Sequence, residues 1–225
     1  MDGDNLDPLL LAGDLRNLET LNRFFGGRAV VGRRLKEVLE TPGPGETLSV
    51  LDVGSGGGDL CRHVVDLCRT RDRAVRLWSL DRHPQIQAFA RSESAGYPEI
   101  RFVRGDATRL PFRDGSVDVA LCTLALHHFT EADAERVLSE MRRIARKAAI
   151  VSDLYRSRPA LAAVWLATRF TSNPMTRFDG PASVRRAFTH EELLQLAGKA
   201  GWQKPRLVAD PWFRVSLISE GCGPW

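Results

Sequence analysis

The sequence predicts an α/β protein built on an open, mostly parallel sheet, and three observations predict it. Short runs rich in β-branched and aliphatic residues, at 47–53, 74–81, 100–105, 117–122 and 148–153, alternate with segments of helical periodicity. The first run breaks into Gly54-Ser55-Gly56-Gly57-Gly58, a glycine-rich turn between strand and helix. Acids close the second and third runs, Asp81 and Asp106, where the carboxyl ends of parallel strands frame a ligand crevice.

Composition bounds the rest. A chain of 225 residues, 43% hydrophobic, buries a full core and suits one α/β domain with additions. The net charge of +4 comes from 28 Arg and 4 Lys spread from end to end. Without a basic block on one element, a nucleic-acid partner is not expected. Cys61, Cys68, Cys122 and Cys222 form no C-x-x-C pair and have no histidine at finger spacing. No signal-peptide pattern or 18-residue apolar run is found, so the expectation is a cytoplasmic, reduced, metal-free protein without a membrane span.

In chain order, Asp7-Pro8 caps a helix whose Leu11, Leu15, Leu18, Leu21 and Phe25 recur at helical spacing until Gly26-Gly27. A second helix carries Val31, Leu35, Val38 and Leu39 and stops in Thr41-Pro42-Gly43-Pro44-Gly45. Residues 1–45 are therefore expected to form an N-terminal helical cap, as core packing or as a lid, before the main domain at 46–225. Asp59 opens the helix after the glycines, and its first free N–H groups point at the turn. Gly54, Gly56 and Gly58 can take positive φ and let a ligand lie against the backbone, which suits a nucleoside-containing cofactor. A dinucleotide turn would carry glycine where Asp59 stands. Asp81 ends the second strand, placed to accept from ribose hydroxyls. Pro84 starts the next helix, and a helix from Glu131 to Arg146 turns Val137, Leu138, Met141 and Ile144 inward.

The run Asp52-x-Gly54-x-Gly56-x-Gly58, the acid at Asp81, the segment Gly105-Asp106-Ala107…Leu110-Pro111-Phe112 and the stretch 117–129 ending in His127-His128-Phe129 stand in one order. Together they resemble the class I S-adenosylmethionine-dependent methyltransferases over most of residues 47–152. The adjacent histidines resemble the small-molecule members, including those of ubiquinone and menaquinone biosynthesis. An Asn/Asp-Pro-Pro-Tyr motif of nucleic-acid amino methylases is missing after the fourth strand.

The resemblance implies a Rossmann-like seven-stranded sheet with an antiparallel terminal hairpin, here at about 203–209 and 212–219. It implies S-adenosyl-L-methionine as cofactor, held by Asp52, Gly54, Ser55, Gly56, Gly58, Asp81, Arg82, Asp106, Ala107 and Thr123, with Asp52 at the methionine end, Asp81 on the ribose and Asp106 with Ala107 at the adenine. The acceptor is expected to be a small hydrophobic molecule, most readily a phenol of aromatic polyketide type. A neutral histidine, with a pKa near 6.5, could take the proton of a phenol with a pKa near 10, which makes His127 and His128 the candidate catalytic pair. They could equally shape the wall. His190 is expected to be solvated at a helix start, and His63 and His83 to lie on helix surfaces.

Residues 154–188 look like an inserted second cap: a hydrophobic helix through Ala163, Trp165, Leu166 and Phe170, then an irregular stretch from Asn173 to Pro181. Arg156, Arg158, Arg177, Asp179, Arg185 and Arg186 in it are substrate determinants by resemblance to polyketide-associated methyltransferases, or solvated charges. Thr189-x-x-Glu192 is a capping box for the next helix. Ring-carbon methylation and a non-catalytic, cofactor-binding accessory role stand beside the O-methyl reading; a nicotinamide-dependent oxidoreductase is disfavoured by Asp59 and Asp106.

Overall fold

The computed structural model describes residues 7–38 and 46–220. Leu39, the turn at 41–45 and Cys222 lie outside them. Helix α1 (Pro8–Phe24) begins at Asp7, whose carboxylate accepts the N–H groups of Leu9 and Leu10, and it buries Leu11 and Leu15. Gly26, at φ +74°, turns the chain into α2 (Gly27–Val38).

The βα units follow as β1 (Leu48–Val53), α3 (Asp59–Arg69), β2 (Val75–Asp81), α4 (Pro84–Glu93), β3 (Ile100–Arg104), β4 (Val117–Thr123), α5 (Glu131–Ile144) and β5 (Ala145–Leu154). After them come α6 (Arg158–Thr168), α7 (Pro174–Arg186), α8 (His190–Lys199), β6 (Arg206–Asp210) and β7 (Arg214–Glu220). The seven strands lie in the order β3-β2-β1-β4-β5-β7-β6, parallel except for β7, which runs antiparallel to both neighbours. The order reverses between β1 and β4, which opens a crevice at their carboxyl ends.

Alternation along the strands divides the core into two layers. Leu51 and Val53 pack with α5 and α8, while Leu48 and Val50 pack with α3. Val137, Leu138, Met141 and Ile144 are buried, as the helical period requires, but α5 stops at Ile144 because β5 starts at the next residue. The capping box holds: Thr189 accepts from the Glu192 N–H, and Glu192 from the Thr189 N–H.

The stretch from Asn173 to Pro181 is not irregular. It lies mostly in α7, with Pro181 inside the helix. Packing overrides the local signal: a Cβ on Gly180 would stand 2.6 Å from Thr168 Cγ2, so the glycine is what lets α7 close on α6. Cys61, Cys68 and Cys122 are buried free thiols. His190 is half-buried rather than solvated, its ring 4.6 Å from that of Tyr155, and His63, half-buried on α3, meets the Arg28 carbonyl with Nε2 at 3.0 Å. Among the described residues no helix is long and apolar enough to cross a membrane.

Candidate active site

The floor of the site is the glycine turn. Gly54 and Ser55 donate their N–H groups to the Leu80 carbonyl at 2.8 and 3.0 Å, tying the turn to the end of β2. Gly54, Gly56 and Gly58 hold φ of +70°, +53° and +72°, a region side chains rarely enter. A Cβ on Gly54 would meet Ala125 Cβ at 2.7 Å, whereas one on Gly56 would find nothing within 4 Å. Backbone is thus laid bare toward open space, the cradle a flat nucleoside ligand requires.

Asp81 completes the cradle. Its two oxygens accept the N–H of Gly56 at 3.1 Å and of His83 at 2.9 Å. Burial pushes its carboxyl up from the ordinary range, and those two N–H groups pull it back. Asp106 stays exposed at the other rim, where Oδ1 accepts the N–H and hydroxyl of Thr108, each at 2.8 Å, and these bonds hold its carboxyl below the usual range. Asp52 is buried and accepts the Cys61 thiol at 3.2 Å. Burial raises its carboxyl to about 7, with the thiol opposing. Ser55 Oγ shares a 2.6 Å hydrogen bond with Ser79 Oγ.

These groups open into a cavity of about 830 Å³. That volume is near the top of the range for small-ligand sites, with room for a cofactor and a second molecule. Asp52, Gly54, Ser55, Gly56, Asp81, Arg82, Asp106, Ala107, Thr123, His127 and His128 all line it. Gly58 does not: it is the N-cap of α3, and its hydrogen side faces Ala90, Arg62 and Ser94. Leu18 and Leu21 from α1, Phe25 just after it, Val164 and Leu166 from α6, and Trp212 and Phe213 from the β6–β7 turn make an apolar wall. Of the charged residues expected in the second cap, Asp179 lines the cavity and the five arginines do not. Arg156 pairs with Glu192, and Arg177 is spent on the carbonyls of Thr171 and Arg169.

The two histidines part company. They sit in a 3-10 turn, Leu126–His128, directly after β4, with ring centroids 4.3 Å apart. His127 is buried and His128 exposed. His127 Nδ1 meets Asp153 Oδ1 at 2.7 Å, and its backbone N–H reaches Asp153 Oδ2 at 3.1 Å. Burial opposes ionisation of Asp153, but His127 and the N–H groups of Leu154 and His127 outweigh it and hold the carboxyl below the usual range. A carboxylate on Nδ1 fixes the tautomer with its proton there, and Nε2 becomes the acceptor. Sequence reasoning passed over Asp153; the available signal was an acid at the carboxyl end of a parallel strand, the same signal that singled out Asp81. It also missed Asp14, Asn22 and Arg214, and read Asp59 only as the residue that opens a helix; all four line the cavity.

Comparison with known proteins agrees with this geometry. Residues 51–152 match a family described as a methyltransferase domain. A demethylmenaquinone methyltransferase of Roseiflexus is 31% identical over 170 residues, covering 68% of this chain and 66% of that protein. The chain belongs to the class I S-adenosylmethionine-dependent methyltransferases. The cofactor of these methyltransferases is S-adenosyl-L-methionine.

A ubiquinone/menaquinone biosynthesis C-methyltransferase of Caulobacter is 29% identical over 136 residues, 57% of this chain and 52% of its own. A methyltransferase structure from Aquifex aeolicus shares the fold with a TM-score of 0.66 and 17% identity, covering 96% of this chain and all of that one. Among the first curated methyltransferase relatives, the chain spans 37%, 41% and 66% of their lengths.

Proposed function

We propose that this methyltransferase methylates a phenolic oxygen of a small, hydrophobic aromatic acceptor of polyketide type. The observation that carries the reading is His127, which is buried with its Nδ1 on Asp153 and lines the cavity. Bound S-adenosylmethionine supplies a methyl group already activated on a sulfonium, so the chain's own work is to orient the acceptor, exclude water and take its proton. His127 Nε2 receives the phenolic proton, and Asp153 stabilises the imidazolium that results. His128, exposed beside it, shapes the rim.

Asp52, Gly54, Ser55, Gly56, Asp81, Arg82, Asp106, Ala107 and Thr123 would hold the cofactor, with ribose on Asp81 and adenine near Asp106 and Ala107. The glycine cradle and the bared space over Gly56 fit such a ligand. The helices α1, α6 and α7 form the cap over the acceptor, and their apolar wall suits an aromatic ring better than a charged polymer.

A second reading is methylation of a ring carbon ortho to the phenolate, favoured by relatives named as C-methyltransferases. The same base serves both. Incubation with isotope-labelled cofactor and a panel of phenols and quinols, with the product methyl located by mass and NMR, separates them. Binding of S-adenosylhomocysteine without labelled product from any acceptor would return the chain to the accessory role.

A further inference from the structure

Three arginines are buried among the described residues, and only one of them faces the cavity. Arg34 gives its two terminal nitrogens to Glu37 and Asp210, and Arg62 reaches Gly57, Ser94 and Glu19. Arg214 differs. It is 3% exposed, its Nη2 donates to Asn22 Oδ1 at 2.8 Å, and its Nη1 is buried with no partner. Among the described residues no carboxylate forms an ion pair with it. The acids whose charge it feels are committed: Asp153 to His127, Asp59 to Asn22, and Asp210 to Arg34 and Ser216.

A guanidinium keeps its proton in proteins, so such a group is a buried cation one hydrogen-bonded anion short. Its placement is built rather than incidental. Arg214 opens β7 opposite Leu154, at the carboxyl end of β5, and Asn22, which lines the same cavity, fixes its Nη2. A Cβ on Gly27 would lie 2.9 Å from both Arg214 Nη2 and Asn22 Oδ1, so the glycine keeps room for the pair.

We propose that Arg214 holds an anionic oxygen of a bound ligand through Nη1, either the carboxylate at the amino-acid end of the cofactor or an oxyanion on the acceptor. This rests on the reading of the cavity as a joint cofactor and acceptor site. Both sources offer the same chemistry, a charge-assisted N–H···O bond to a desolvated guanidinium.

The test uses full-length protein, folded by circular dichroism, as wild type and Arg214→Met. Two matched ligand pairs are titrated: S-adenosylhomocysteine against 5′-methylthioadenosine, which lacks the amino-acid end, and, on protein saturated with S-adenosylhomocysteine, 1-hydroxy-2-naphthoate against 1-naphthol. If the cofactor is the source, the variant binds S-adenosylhomocysteine about tenfold or more weakly, and 5′-methylthioadenosine equally. If the acceptor is the source, wild type prefers the naphthoate to 1-naphthol by a similar factor, and the variant loses that preference with cofactor affinity intact.

Changes below twofold in both pairs overturn the proposal. If Arg214→Met does not fold, wild type decides: decarboxylated S-adenosylhomocysteine binding as well as the intact molecule, together with no preference for the naphthoate, overturns it equally. Failure of wild type to bind S-adenosylhomocysteine at all would remove the functional reading, and this inference with it.

Discussion

His127 Nδ1 stands 2.7 Å from one oxygen of Asp153, and the other oxygen of the same carboxylate accepts the backbone N–H of His127. One acid therefore fixes both the ring and the chain that carries it. Replacing Asp153 by Asn puts an amide where the carboxylate was and removes the preference for a proton on Nδ1. Asp153→Asn and His127→Ala are each expected to lower kcat by about 10²–10⁴-fold, with activity returning as pH approaches the acceptor's own pKa. His128→Ala should stay within a few-fold of wild type. Wild-type rates in both His127→Ala and Asp153→Asn at neutral pH would leave transfer to positioning alone.

Asp81 does two things at once, since it accepts the Gly56 N–H and faces the cavity. Asp81→Ala removes a charge-assisted acceptor and loosens the glycine turn. The expected loss in S-adenosylhomocysteine binding is about 1.5–3 kcal/mol, more than tenfold in affinity. Calorimetry giving an unchanged affinity would contradict the assignment of the ribose to this acid.

Asp52 gives stability a pH dependence of opposite sign to that of an exposed ion pair. Its carboxyl is raised to about 7 by burial, so in the folded chain it keeps its proton where the unfolded chain has lost it. The stability it contributes is full below the ordinary value of 3.8 and is lost as pH rises through about 7. Melting temperatures from pH 4.5 to 8 should therefore fall less in Asp52→Asn than in wild type; superimposable slopes would refute the shift. A cationic ligand beside Asp52 favours its charged form, so cofactor binding near pH 6 is expected to release a proton. Calorimetry in buffers of different ionisation heat reads that proton directly.

Gly180 tests the cap. Its replacement by Ala drives a methyl to 2.6 Å from Thr168 Cγ2 and must part α6 from α7. Overpacking of this kind typically destabilises by about 1–3 kcal/mol. The cap reading predicts that Gly180→Ala lowers kcat/KM for the acceptor while S-adenosylhomocysteine affinity stays near wild type. An unaltered kcat/KM in a folded variant would separate these helices from the acceptor.

The half of the site assigned by proposal to the cofactor was legible in the sequence because its signals are local. Positive φ demands glycine, strand ends present acids, and residues 52–128 carry both in one continuous run, so the fold, the cradle and Asp81 could be read directly. What escaped depends on contacts across the sheet. Asp153 gains meaning only when β5 lies beside β4 and brings it to His127. Arg214 and Asn22 are 192 positions apart and meet only in the fold. The helix α7 was hidden by Gly180 and Pro181, local breakers that packing against α6 overrules. Gly58 was read as ligand-facing because its φ was foreseen; the direction of its open side was not.

The apolar walls proposed to face the acceptor come from three separate places in the chain: α1 near its start, α6 and α7 after β5, and the turn between the final two strands. None of these belongs to the continuous run proposed to cradle the cofactor. On that proposal, substitutions in Leu18, Val164 or Trp212 are expected to act as interchangeable modules, each altering which acceptor is admitted while the frame that binds the methyl donor is untouched. A library varied at those positions alone samples acceptor choice without revisiting the half of the protein that makes it a methyltransferase.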